Sequence, residues 1–268
     1  MSTQDASIVP SLYVKREGES TTKAELRLTS ARERFVVRFT GGCGFMSKAD
    51  AQGLYDLFKE SFEGFAGALL FGGTRMLEKQ DTSIVVPGIT EIPPVIWKDN
   101  PESSILGIIP KSQDLRISQL GMVIHDEEGA TYTTIVHPDQ AQCLVVQQSA
   151  DEGVDWEAEF KECLRIINDL RSFAQWESLL VSYNGGGVTE KEILATASRG
   201  WPVLLINGSG RISEQYANDK AFLKKYPLVH VAEKSVDSIR GALLKIGALK
   251  ARDVKSVPYL QIVGEETP

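Results

Sequence analysis

The sequence contains little cysteine and little histidine, and this scarcity excludes several classes of protein. Three cysteines and three histidines occur among 268 residues. Cys43, Cys143 and Cys163 lie too far apart to predict a disulfide framework or a zinc site. No apolar run approaches the ~18 residues that cross a bilayer, and the first residues lack the basic start and apolar core of a secretory signal. We therefore expect a cytoplasmic protein with no membrane insertion and no bound metal.

A surplus of basic charge is also lacking. The chain has 29 Lys and Arg residues against 36 Asp and Glu residues, which gives a formal net charge of -7. This balance argues against sequence-independent binding of nucleic acid, because such binding depends on a basic surface. With 42% hydrophobic and 24% charged residues, the composition is typical of a globular protein, and the length suits one large α/β domain or two small ones.

Glycine-rich turns are what the sequence does contain, and two of them organise its carboxyl-terminal half. Leu179–Tyr183 is a strand pattern that is followed by Asn184-Gly185-Gly186-Gly187 and a helical pattern. Val203–Ile206 is a second strand pattern, followed by Gly208-Ser209-Gly210-Arg211 and another helical pattern. This order is typical of a parallel α/β sheet, whose ligands bind beyond the carboxyl ends of the strands. Free amides at a helix start bind anions, and Arg211 adds a permanently charged donor.

The amino-terminal half repeats this pattern. Phe35–Thr40 is a predicted strand that ends in Gly41-Gly42-Cys43-Gly44, and Ser47 is predicted to cap the helix that follows. Ala66–Phe71 is another predicted strand, and it ends in Gly72-Gly73-Thr74-Arg75. Because the carboxyl ends of parallel strands meet at one edge, we expect the four glycine turns to surround one anion-binding hollow. Cys43 is either a reactive thiol at a helix start or simply a small residue that a tight turn tolerates.

Thr189 and Glu192 allow two interpretations, which are compatible. Their spacing fits a capping box, in which the Thr189 hydroxyl accepts from a free amide and the Glu192 carboxylate reaches back to the amide of the cap. They also fit the wall of a nucleotide pocket. Arg75, which follows another glycine turn, is a weaker candidate than Arg211 for the same anion-binding role.

The remaining patterns give a fold class and a division into segments. We expect an α/β, Rossmann-like fold with a mostly parallel sheet flanked by helices. A small β-hairpin insertion is predicted near residues 115–148, with a further strand at Cys143–Gln147. Residues 1–33 are a predicted amino-terminal extension with short edge strands, residues 34–250 the Rossmann-like domain, and residues 251–268 a tail.

The glycine turns also carry a family resemblance. The segment Asn184–Glu192 resembles the Pro-Gly-Gly-x-Gly-Thr-x-x-Glu signature of the LOG (lysine decarboxylase-like) proteins within the SLOG superfamily. Gly208-Ser209-Gly210-Arg211, after a strand initiated by proline, is more similar still to the SLOG domain at the cytosolic amino terminus of TRPM cation channels. Gly72-Gly73-Thr74 resembles the Gly-Gly-Thr that SLOG domains have after an early strand. The chain departs from the LOG signature at Asn184, which replaces proline, and at Val188, which replaces glycine.

The resemblance covers about Arg34 to Leu249 and implies a stand-alone, prokaryotic signalling domain that senses a ligand. The implied ligand is nucleotide-derived, namely ADP-ribose, an NAD-related molecule or another nucleotide, and no cofactor is required. LOG proteins are phosphoribohydrolases, so the alternative is hydrolysis of an N-glycosidic bond with Glu192 as a catalytic residue. Because Arg165–Arg171 lacks the Arg-Lys motif that LOG enzymes have on the preceding helix, we lean against catalysis. A third interpretation is a scaffold or assembly module that forms a homo-oligomer. A sensor, in contrast, would pass the binding event on to an effector protein.

The predicted ligand-binding residues lie in the four glycine turns and at the start of the helix after Asn184. They are Gly41, Gly42, Gly72, Gly73, Thr74, Asn184, Gly185, Gly186, Gly187, Thr189, Glu192, Gly208, Ser209, Gly210 and Arg211. We expect the backbone amides of the turns to hold phosphate or ribose, and Arg211 to pair with a phosphate.

Overall fold

The computed structural model describes residues 11–16, 28–42, 48–111, 116–118, 121–125, 131–147 and 156–250. The strands are β1 (Ser11–Arg16), β2 (Phe35–Gly41), β3 (Ala68–Gly72), β4 (Thr74–Glu78), β5 (Val85–Val86), β6 (Ser104–Lys111), β7 (Arg116–Ser118), β8 (Gly121–His125), β9 (Tyr132–Val136), β10 (Gln142–Gln147), β11 (Glu177–Tyr183), β12 (Val203–Asn207) and β13 (Val229–Glu233). The helices are α1 (Lys48–Ser61), α2 (Ile92–Asp99), α3 (Trp156–Ala174), α4 (Gly187–Ser198), α5 (Arg211–Ala217), α6 (Lys220–Lys225) and α7 (Val236–Ile246), and a short 3-10 helix spans Ile89–Glu91.

Eight strands form one parallel sheet in the order β1-β10-β6-β3-β2-β11-β12-β13. The residues of Val203–Ile206 are all buried, as expected for a strand that helices cover on both faces. The predicted α/β, Rossmann-like fold is confirmed. Because the pairs are parallel, the glycine turns after β2, β3, β11 and β12 all lie beyond the same edge of the sheet.

The helices lie on two faces, and the alternation of side chains along the strands divides the core between them. On one face, α1, α2 and α7 contribute to a core cluster that contains Val37 and Phe39 of β2. On the other face, α3 packs on Val36, and α4 packs on β11 and β12. Arg38 lies two residues after Val36, so the strand period of two places it on the face that α3 covers. This buried strand therefore carries one charged side chain into the interior.

A second, antiparallel sheet has the order β5-β4-β9-β8-β7. It contains the insertion predicted near residues 115–148, but it is larger than a hairpin, because β4 and β5 from residues 74–86 join it. The strand predicted at Cys143–Gln147 is β10, which lies inside the parallel sheet between β1 and β6. Sequence patterns could not show this pairing, since β1 and β10 are far apart in the chain.

Several predictions fall outside the described residues. The turn residue Cys43, the predicted cap at Ser47 and the predicted tail at residues 251–268 all lie there. The division into segments at residues 33 and 250 stays a prediction. Within the part of the chain that the structure describes, no helix has both the length and the apolar character needed to cross a membrane.

Candidate functional site

The parallel sheet has its topological switch point between β2 and β11. The helix after β2 packs on one face through Leu54 and Phe58, whereas the helix after β11 packs on the opposite face through Ile193. In open α/β sheets, ligands bind in the crevice at such a point. Gly41 and Tyr183 are register partners there, and a Cβ placed on Gly41 would lie 2.2 Å from the Tyr183 carbonyl oxygen. The absence of a side chain at Gly41 is what lets these two strand ends approach so closely.

Three of the four glycine turns meet at the Arg211 guanidinium. A Cβ placed on Gly42 would lie 3.5 Å from Arg211 Nη1, and one placed on Gly186 would lie 2.8 Å from Arg211 Nη2. The amide of Asn184 donates to Ser209 Oγ at 3.0 Å, which links the turn after β11 to the turn after β12. Gly42 and Arg211, which are 169 positions apart in the sequence, thus meet at one permanently charged group.

Two non-glycine residues in these turns have left-handed backbone conformations. The φ angle is 60° at Asn184 and 49° at Arg211. Asparagine tolerates this conformation, whereas a long side chain adopts it at a cost. Ser213 Oγ donates to the Asn184 carbonyl oxygen at 2.6 Å and so holds the first turn in place. Because strained backbone concentrates at ligand-binding and catalytic sites, the conformation of Arg211 marks this corner as a candidate site.

A cavity of about 280 Å³ opens beside the turns. The parallel sheet, the start of α4, α3 and the second sheet enclose it. Its lining residues are Arg38, Phe39, Thr40, Gly41, Gly72, Thr74, Met76, Ile89, Thr90, Tyr132, Thr134, Glu159, Val188, Thr189 and Glu192. Five predicted site residues are in this set, namely Gly41, Gly72, Thr74, Thr189 and Glu192.

The floor of the cavity, formed by Arg38, Glu159 and Glu192, brings three charged side chains together. Arg38 Nε donates to Glu192 Oε1 at 2.8 Å, and Arg38 Nη2 lies 2.6 Å from Glu159 Oε1. Arg38 is 4% exposed, and its Nη1 is buried without a hydrogen-bond partner. A Cβ on Gly72 would lie 3.0 Å from Glu159 Oε2, so this glycine leaves room for the carboxylate. Buried polar groups are nearly always satisfied, so the unpartnered Nη1 donor indicates a place for a ligand atom or water.

The two carboxylates share one guanidinium, and this perturbs the titration of Glu159. Burial raises the pKa of Glu159 to about 7. The positive charge of Arg38 opposes that rise, while the neighbouring Glu192 charge adds to it. Near neutral pH the Glu159 carboxyl can therefore exist in either protonation state, and it can donate or accept a hydrogen bond toward the cavity.

Gly73 and Arg75 do not share this environment. A Cβ on Gly73 would lie 2.8 Å from Gly107 Cα, so its small size serves packing within the fold. Arg75 Nη2 donates to Glu91 Oε2 at 2.7 Å and to Asp139 Oδ2 at 3.1 Å. Arg75 was predicted as a weaker candidate than Arg211 for binding an anion. This prediction is wrong, because the two carboxylates already neutralise the charge of Arg75.

The capping-box interpretation of Thr189 and Glu192 is also wrong. Helix α4 begins at Gly187, its N-cap is Gly186, and no side chain caps it. The observed N-cap thus lies three residues before the predicted cap, Thr189. Thr189 packs against Gly185, where a Cβ would lie 2.4 Å from Thr189 Oγ1, and the first turn of α4 faces the cavity.

Sequence reasoning missed Arg38, Glu159 and Tyr132 as residues of the cavity. Arg38 did leave a signal, since a charged residue inside a strand that both faces cover requires a buried partner. Glu159 left none, because a glutamate on a long helix usually faces solvent. Tyr132 lies on the second sheet, whose position over the cavity no local pattern predicts.

Part of the chain matches a known protein family. Residues 121–251 match the family model described as SLOG in TRPM, prokaryote. This segment is therefore similar to the SLOG domains of that family. The resemblance predicted from the glycine turns is thereby confirmed, and the matched segment contains both Asn184–Glu192 and Gly208–Arg211. A comparison with curated proteins gives no significant match.

Solved structures with a similar fold include TM1055, a structural genomics target, with 17% identity and a TM-score of 0.47 over 78% of this chain and 98% of that chain. The molybdenum cofactor carrier protein of Chlamydomonas reinhardtii has 14% identity and a TM-score of 0.47, with 81% of this chain and 100% of that chain covered. The molybdenum cofactor binding protein of the phototrophic bacterium Rippkaea orientalis has 18% identity and a TM-score of 0.46, with 80% and 98% covered.

Proposed function

We propose that this protein binds a nucleotide-derived small molecule, such as ADP-ribose or an NAD-related compound, at the switch point between β2 and β11. The observation that carries the proposal is the cavity whose floor holds the buried, unpartnered Arg38 Nη1 and whose rim is the uncapped start of α4. A cavity of about 280 Å³ is close to the small end of ligand pockets, so it would enclose a nucleoside-sized part of the ligand.

An anionic group of the ligand would lie at the rim. The first amides of an α-helix have no acceptor within the helix, and the helix dipole favours a negative charge beside them. In α4 the N-cap Gly186 supplies no side-chain oxygen to these amides. Arg211 lies directly beside Gly186, so a phosphate at this position would meet both backbone amides and a guanidinium.

A hydroxyl-bearing group would lie at the floor. A ribose hydroxyl both donates and accepts hydrogen bonds. Arg38 Nη1 supplies a donor, and the carboxylates of Glu159 and Glu192 supply acceptors. The carboxylates would repel a phosphate here, which favours the sugar at the floor and the phosphate at the rim.

Thermal unfolding with ADP-ribose, NAD and AMP tests this proposal. A ligand that binds only the native state at about 100 times its Kd stabilises the protein by ~2.7 kcal/mol, so the midpoint of unfolding should rise measurably. Arg211→Ala should weaken binding, because it removes the cation at the rim. Arg199→Ala is the matched control, since Arg199 is an exposed arginine at the other end of α4. No shift with any of the three compounds, or equal losses in the two variants, would contradict the proposal.

A second candidate function, hydrolysis of an N-glycosidic bond in a nucleotide, has one observation in its favour. The floor carries two carboxyl groups in different environments. One of them, Glu159, has a pKa of about 7, which suits a general acid at neutral pH. In that reaction water would add its hydroxyl group to C1′ of the ribose, and the departing base would take up a proton. Chromatography of AMP after incubation tests it: adenine should appear with the wild type and not with Glu192→Gln. If no adenine forms, the binding function stands alone.

A further inference from the structure

One face of the second sheet forms a wall of the cavity. Thr74 and Met76 of β4 line it, as do Tyr132 and Thr134 of β9. In the antiparallel register Met76 pairs with Thr134, and residues two apart on a strand share a face, so the four side chains belong to one surface. The cavity therefore has a wall that does not belong to the Rossmann-like sheet.

The side chains of this wall are buried near the floor and exposed near the opening of the cavity, which we call the mouth. Thr74 and Thr134 are buried, whereas Tyr132 is 38% exposed. Val188, in the first turn of α4, also lines the cavity and is 41% exposed. Six large hydrophobic side chains are exposed in the described part of the chain, and these two of the six line a single cavity of about 280 Å³. Exposed apolar groups that gather at a concave site mark it for an apolar group of a ligand.

We propose that Tyr132 is the residue that binds the planar base of the ligand, with Met76 and Val188 as the apolar surroundings of the ring. This inference rests on the proposed function and adds the determinant of its specificity. The charged floor suits the sugar and the rim suits the phosphate, so the aromatic mouth is the part of the cavity that remains for a flat heteroaromatic ring. Aromatic side chains bind bases through their faces, and every base has such a face. The site therefore distinguishes a nucleotide from a sugar phosphate without reading which base it carries.

Calorimetric titration with AMP and with ribose 5-phosphate tests the inference, because the two compounds differ in the base alone. The wild type should bind AMP at least about 10-fold more tightly than ribose 5-phosphate, in line with the strength of base stacking on an aromatic side chain. Tyr132→Ala should bring the ratio of the two affinities close to one while leaving the affinity for ribose 5-phosphate unchanged. Tyr132→Phe should keep the ratio, because the ring is retained. Phe173→Ala is the matched control, since Phe173 is an 85% exposed aromatic residue on α3 that is not among the lining residues.

The outcomes separate this inference from the proposed function. Equal affinities of the wild type for AMP and ribose 5-phosphate would overturn the role of Tyr132 and leave the phosphate and sugar sites in place. Equal losses for both compounds in Tyr132→Ala would show that the residue supports the fold of the mouth, and this would also overturn the inference. If neither compound binds, the proposed function fails and the inference fails with it. Circular dichroism of each variant checks that the protein is folded in every titration.

Discussion

Glu159→Gln tests the electrostatics of the cavity floor most directly. Glu159 is largely buried against Arg38 and Gly72. Glutamine has nearly the same shape and can still accept a hydrogen bond from the Arg38 guanidinium. What the substitution removes is the ability to ionise. Its effect should therefore depend on pH, whereas an effect on packing would not.

The magnitude follows from the pKa of Glu159, which burial raises from an ordinary value of 4.5 to about 7. One pKa unit is worth about 1.4 kcal/mol, so the rise corresponds to roughly 3 kcal/mol. A carboxyl group with a raised pKa binds its proton more tightly in the folded protein than in the unfolded chain. The stabilisation is complete below pH 4.5 and is lost as the pH rises through about 7. Between pH 4.5 and pH 8, the wild type should thus lose roughly 3 kcal/mol relative to the variant.

Urea unfolding of both proteins at pH 5, 6, 7 and 8 measures this difference in the free energy of unfolding. His230, whose pKa is lowered by burial and by Lys245, titrates in the same range but is common to both proteins and cancels. Glu157→Gln is the matched control on the same helix, because Glu157 pairs with exposed lysines and not with the cavity floor. A wild-type-to-variant difference that stays constant from pH 5 to pH 8 would refute the reasoning.

Three further substitutions test other parts of the structure. Gly41→Ala should destabilise the protein by about 1–3 kcal/mol in thermal unfolding, because the added Cβ would lie 2.2 Å from a backbone oxygen of β11. Gly187→Ala is the control and should have little effect, because no atom lies near its added Cβ; equal effects of the two substitutions would contradict the close approach at Gly41. Arg75→Met should cost about 3–5 kcal/mol in guanidinium unfolding, because it leaves the buried Glu91 carboxylate without its arginine, and a cost below 1 kcal/mol would show that the pair is dispensable. Phe58→Ala should cost about 3–5 kcal/mol by calorimetry, because Phe58 is fully buried among aromatic rings, and a small cost would mean that the core collapses around the gap.

The fold was predictable where local patterns decide it. The apolar run Val203–Ile206 and the glycines after it predicted a buried parallel strand followed by a helix, and β12 and α5 lie there. Gly200, just past the end of α4, has a φ angle of 68°, the left-handed conformation that a glycine in this position favours. Capping was less predictable, because Thr189 and Glu192 have capping-box spacing for one helix start while the backbone begins α4 at another.

The floor of the cavity was not predictable from the sequence, because it depends on contacts across the chain. Arg38 and Glu192 are 154 residues apart and come from β2 and α4, while Glu159 comes from α3. Tyr132 reaches the cavity only because β9 pairs with β4, which diverges from the parallel sheet after Gly73. Such contacts depend on strand order, and periodicity within a segment carries no information about strand order.

The buried charges of the floor also bear on whether the cavity serves binding or merely results from packing. Burying Arg38 and Glu192 and most of Glu159 removes charged groups from water, and well-packed apolar residues often replace such groups with no loss of stability. The packing of the sheet does not require a charged residue at position 38, because the register partners of Arg38 in the two neighbouring strands are Leu70 and Leu180, and both are buried. An apolar residue at this position would continue the pattern of its neighbours. Arg38 instead brings two carboxylates to the cavity floor and leaves its own Nη1 donor without a partner. This arrangement favours a ligand-binding role over a purely structural one.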